Sequence, residues 1–183
     1  MGWRETFRRA MGLGTDEDDR RGPAIPESPP VPAPARDERP RLSRSYPGDY
    51  PGVPAMYWAP QPDGQPDPGE IVWTWVPYED DVSQGKDRPV LLIGSDGDWL
   101  LGLPLTSQDH DRDAEQETRA GRSWVDIGSG PWDRLGRSSE ARVDRVVRID
   151  PAMVRREGAV LPRDAFQQVA EAVHAHHERH RRR

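Results

Sequence analysis

The chain has 183 residues, 33% hydrophobic and 32% charged, and a formal net charge of −6 at pH 7. Of its 20 prolines, 14 fall between Pro23 and Pro68, which leaves roughly 110 residues for one compact core and argues against a multidomain enzyme or a Rossmann-sized nucleotide binder. The lack of cysteine excludes disulfides, thiol nucleophiles and cysteine-bound zinc; no apolar run approaches the ~20 residues of a membrane span; and the acidic excess argues against a passive, charge-driven nucleic-acid binder.

Residues 1–20 pair a short amphipathic pattern, Trp3, Phe7 and Met11, with an acidic run at Asp16–Asp19. Nothing there has the form of a secretory signal, and the cytoplasm is the expected compartment. Residues 21–68 read as a long disordered arm or linker, with Pro29–Pro34 extended, because too little apolar surface is present to offset the ordering entropy. Tyr46, Tyr50, Tyr57 and Trp58 are unusual for linker, so part of Tyr46–Trp58 is a candidate to pack on the folded part.

The folded part is expected over 69–178, with 179–183 as a basic tail. Glu70–Val76 alternates as a strand, with Ile71, Trp73 and Trp75 on one face and Val72, Thr74 and Val76 on the other. Arg88–Gly94 and Asp98–Thr106 form a hairpin through Asp96-Gly97, a dipeptide suited to tight turns. Pro104 marks an edge or a bulge there. Ser123–Ile127 and Glu140–Ile149 are further strands. Asp150-Pro151 is a helix start, and a last helix after Pro162 carries Phe166, Val169, Ala170 and Val173 at helical spacing. About five strands and two short helices predict a small, mainly β barrel. His174, His176, His177 and His180 read as a solvated, fraying helix end rather than a metal site, since no acidic partner is well placed.

Three blocks stand in order along this region: Gly69-Glu70-Ile71-Val72-Trp73, then Ser83-Gln84-Gly85-Lys86-Asp87-Arg88-Pro89-Val90-Leu91-Leu92-Ile93, then Leu105-Thr106-Ser107. Together they resemble the MazF/PemK family of toxin endoribonucleases. A fainter likeness runs from Ser139 through Val147-Arg148-Ile149-Asp150. The resemblance covers about Gly69 to Val173, and the N-terminal third has no counterpart in the common short members. It implies an SH3-like barrel, usually a homodimer, that cuts single-stranded RNA without a metal or other cofactor. It also implies a cognate antitoxin whose extended segment covers the site, with operator DNA met only through the antitoxin complex, and no membrane partner.

RNA can be cut by attack of its own 2′-hydroxyl on the adjacent phosphate, so the protein need supply only proton transfer and charge stabilisation. Arg88 and Thr106 match the family's catalytic arginine and threonine. A guanidinium can hold two phosphate oxygens, and a hydroxyl can donate one further bond. The bland readings of these two are a surface ion pair and a strand-end threonine. The Gln84-Gly85-Lys86 loop and Ser107 are the candidate RNA contacts. His110, flanked by Asp109 and Asp111, titrates in the useful range and is a candidate helper, or else a solvated loop histidine. Where some members place Glu before the Gln-Gly loop, this chain has Ser83, with Glu79, Asp80 and Asp81 nearby. Trp73, Trp75 and Trp99 are candidates to stack bases, although at least one of Trp73 and Trp75 is expected in the core. Trp124 and Trp132 flank Gly128-Ser129-Gly130, a loop that either borders the groove or is a plain turn. The alternative function is an inactive barrel of the same type that binds DNA or a partner as a regulator.

Overall fold

The computed structural model describes residues 45–107 and 122–181. The expectations for Trp3, Phe7 and Met11, for Asp16–Asp19, for Pro29–Pro34 and for Asp109–Asp111 lie outside the described residues. β1 (Glu70–Pro77) and β2 (Gly85–Asp96) pair antiparallel, with Ile71 opposite Leu91 and Thr74 opposite Arg88. β3 (Trp99–Thr106) follows through a two-residue turn, where Gly97 supplies the positive φ of 59°. β4 (Trp124–Gly128), β5 (Ser139–Arg142), β6 (Val147–Ile149) and β7 (Arg156–Val160) complete a sheet of order β4-β5-β3-β2-β1-β7, with β6 also on β3. One long helix, α1 (Arg163–Arg181), closes the described chain. The fold is mainly β, a half-barrel sheet with a C-terminal helix.

Both faces of the sheet are buried. Ile71, Leu91, Ile93, Leu101, Leu103 and Leu105 pack with Phe166, Val169 and Val173 of α1. On the other face Val72, Val76, Val90 and Leu92 meet Val147 and Ile149. The alternation read in β1 divides its residues between these two cores, as a period of two requires. No helix among the described residues is long and apolar enough to cross a membrane.

The expected five strands and two short helices are, among the described residues, seven strands, one 3-10 turn and one long helix, and three further expectations need correction. The strand expected over Glu140–Ile149 is two strands on one neighbour, with residues 142–146 standing opposite only Leu103 and Pro104 of β3. Proline, with no N–H to give to a ladder, sits at that break, although β3 is a central strand and not an edge. Asp150 does cap Pro151, its carboxylate accepting from Ala152 N at 3.0 Å, but only a single 3-10 turn follows, Pro151–Met153. The chain then leaves as β7, because the open edge of β1 offers it a ladder and Arg155 N donates to the Trp73 carbonyl at 3.0 Å. Finally, His176 is not a solvated helix end but a buried residue of α1, 7% exposed, with Nδ1 3.2 Å from Ser123 Oγ.

Residues 45–68 of the expected linker run along this body. Tyr50 N donates to Val146 O at 2.8 Å, Tyr57 N to Ile93 O at 3.1 Å, and Trp58 Nε1 to Leu161 O at 2.9 Å. Tyr50, Met56 and Trp58 pack against the helix-side core. Asp49 forms a two-point pair with the buried Arg145, at 2.7 and 3.3 Å, and Arg148 donates to the carbonyls of Gly48 and Asp49.

Candidate functional site

β2 begins and β3 ends at the same end of the sheet. Val90 pairs with Pro104, so two further steps of that antiparallel register bring Arg88 toward Thr106. Both line one open cleft of about 450 Å³, together with Lys86, Ser107, Trp73, Trp124 and Trp132. Thus Arg88, Thr106, Lys86 and Ser107 stand around one space. Gln84 and Gly85 do not line it. The Gln84 side chain is tied back to Asp81 at 2.7 Å, and Gly85 leaves the room that the Trp75 indole fills, so a Cβ there would run into the ring.

Arg88 is half-buried, and its Nε has no hydrogen-bond partner. No carboxylate among the described residues pairs with it. Burial first, and then the neighbouring Arg145 and Arg142, hold its pKa below the usual guanidinium range, with Tyr78 opposing. Those two neighbours are neutralised. Arg142 binds Asp144 at 2.8 Å and also Glu79; burial opposes its charge, but these bonds outweigh burial and raise its pKa. Arg145 has Asp49 and the Pro77 carbonyl, at 2.7 and 2.9 Å. Glu79, Asp144 and Asp49 are thus engaged by Arg142 and Arg145, and among the described residues none answers the Arg88 charge.

The acidic residues near the Gln-Gly loop have local tasks. Asp81 accepts from Ser83 N and Oγ at 3.0 and 2.6 Å and from Gln84, bonds that lower its pKa and brace the turn. Glu79 serves Arg142. Ser139, 3% exposed, accepts from Trp132 Nε1 at 3.1 Å, which fixes the indole in the cleft wall. Trp124 and Trp132 line the cleft, whereas the loop between them, Gly128-Ser129-Gly130, does not. Trp99 does not: it meets Tyr46 edge-on at 6.3 Å. Neither Trp73 nor Trp75 is fully buried, against expectation, because their face of β1 continues past the core that covers Ile71. Sequence reasoning passed over Arg142, Arg145 and Asp49, which set the charge behind Arg88; the only local sign of them was the density of arginines after Ser138. Among the described residues no group of three or more histidines or carboxylates is placed to hold a metal.

No curated protein matches the chain. Among solved structures, MazF (Form-I) from Deinococcus radiodurans is similar at 20% identity over 62% of this chain and 96% of that one, with a TM-score of 0.45. The MazE-MazF structure (Form-II) from Deinococcus radiodurans is similar at 20% identity, 62% and 96% coverage and a TM-score of 0.43. The Mycobacterium tuberculosis toxin MazF-mt6 is similar at 19%, 60% and 96%, with a TM-score of 0.41. The model of the PemK-like, MazF-like toxins of type II toxin-antitoxin systems matches residues 67–177, a span that takes in every strand of the sheet and the cleft residues described above. The chain belongs to that family.

Proposed function

We propose that the chain is the toxin of a type II toxin–antitoxin pair and an endoribonuclease that cuts single-stranded RNA through the substrate's own 2′-hydroxyl. The observation that carries this reading is Arg88, a half-buried cation with no carboxylate partner among the described residues, sharing one open cleft with Thr106. Attack on phosphorus concentrates negative charge on the non-bridging oxygens. A half-buried guanidinium stabilises that charge more strongly than one in water, and its environment is already arranged before the substrate arrives. Thr106 Oγ1 donates one further bond to the phosphorane. Lys86 and Ser107 hold the flanking backbone. His110, three residues beyond Ser107, is the candidate to take or return the proton. No step requires a metal. The partners are the RNA, a cognate antitoxin and a second copy of the chain, with operator DNA reached only through the antitoxin complex.

The test is a labelled single-stranded RNA with mapped cut ends. Arg88→Ala is expected to lower the cleavage rate on the order of 100-fold or more while the protein stays folded, and a chelator is expected to change nothing. Undiminished cutting by the variant overturns the assignment. A wild-type chain that neither cuts RNA nor arrests growth when expressed without its partner favours the regulator instead.

A further inference from the structure

A second cleft, of about 480 Å³, adjoins the first and is lined by Trp73, Asp87, Asp133, Arg134 and Arg155. Trp73, Asp87 and Asp133 line both spaces. The charges there are not balanced evenly. Asp87 is bound to Arg155 at 2.9 Å, and Asp133 to Arg137 at 2.8 Å. No carboxylate among the described residues pairs with Lys86, Arg88 or Arg134. Among the described residues three cations therefore have no carboxylate partner along two adjoining clefts, and a tryptophan lines both.

We propose that a single strand of RNA continues past Trp73 into this second cleft, with a base against the indole and Arg134 on a phosphate flanking the scissile one. The assignment rests on the nuclease reading of the first cleft. Spaced cations suit a ligand with spaced anions, and the indole between them suits an aromatic base. A duplex keeps its bases stacked inside and cannot offer one to Trp73. An acidic peptide would use the cations but not the ring. Each cleft is of a size that holds a nucleotide-sized group.

Binding can be read apart from cutting with fluorescently labelled RNAs that carry a 2′-deoxy sugar at the mapped cut site. One would be a dinucleotide, the other extended by two nucleotides on each side. Extension is expected to tighten binding to the wild-type chain. Arg134→Ala is expected to remove much of that gain, to leave the dinucleotide unaffected, and to reduce the slope of log affinity against log salt by about 0.7 for the extended RNA. Arg134 is exposed, so its removal leaves the packing intact. Trp73→Ala is expected to weaken the extended RNA on the order of tenfold, and Trp73→Phe to restore most of the loss. If Arg134→Ala equals the wild type on both RNAs, or weakens only an oligoglutamate peptide, the second cleft is not an RNA subsite. Cleavage measured in parallel separates the two proposals. A chain that cuts without any Arg134 dependence keeps the nuclease and loses the subsite; a chain that never cuts has no scissile phosphate for Arg134 to flank and loses both.

Discussion

At the scale of single residues, the site is a matter of which charges are answered. Arg88 stood out in the sequence through its block, but that no carboxylate among the described residues pairs with it was not legible there. Arg142 and Arg145 arrive more than fifty positions later, and Asp49 nearly forty positions earlier. Two outcomes follow. Asp49→Ala leaves the buried Arg145 charge with only Glu79, at 4.0 Å, as a carboxylate and is expected to cost about 2–3 kcal/mol in urea unfolding, well above the usual surface substitution. Arg88→Met removes a half-buried cation with no carboxylate partner among the described residues, and is expected to leave stability unchanged or slightly raised while abolishing cutting. A loss of stability in the Arg88 variant would mean that the arginine is structural.

At the scale of elements, hairpin chemistry and alternation were sufficient for β1 to β3, because each signal lies within a few residues. They were insufficient for the segment after Ser139. Its pattern suits one strand, yet five residues must pass opposite two, and the chain bulges where Pro104 interrupts the ladder. The Asp150-Pro151 start was read correctly as a cap, but a cap does not commit the following residues. Val154 is already extended, with ψ of 120°, and β1 offers Arg155 a carbonyl. The segment 45–60 shows the same rule in reverse: poor in core residues, it is held by backbone bonds and a few aromatic rings. At Gly94 it passes so close to β2 that a Cβ would run into the Ala55 carbonyl. Gly94→Ala is therefore expected to loosen this segment, and limited proteolysis should cut within 45–60 faster than in the wild type while the sheet stays intact.

At the scale of the whole molecule, α1 covers one face of the sheet and turns His176 inward, with His177 half-buried beside it. His176 is held below the usual histidine pKa by burial, then by His180, with Asp144 opposing and His177 and Arg179 adding to the depression. His177 is lowered by burial, then by His174 and His180. Both are favoured neutral in the folded state. The unfolded chain binds their protons more readily, so the stability they protect is present above about pH 6.5 and is lost as pH falls below it. Melting temperature is expected to drop between pH 7.5 and 5.5, and His176→Gln should flatten that slope; an unchanged slope would place the acid sensitivity elsewhere. By itself the sequence determined the strand faces, the first hairpin, the apolar stripe of the last helix and the family blocks, because each depends on neighbours only a few positions away. Only the tertiary structure decided where β5 breaks from β6, that His176 is buried, that residues 45–68 run along the folded body and that no carboxylate among the described residues pairs with Arg88. Burial and charge pairing depend on which distant segments meet, and local pattern carries no record of that.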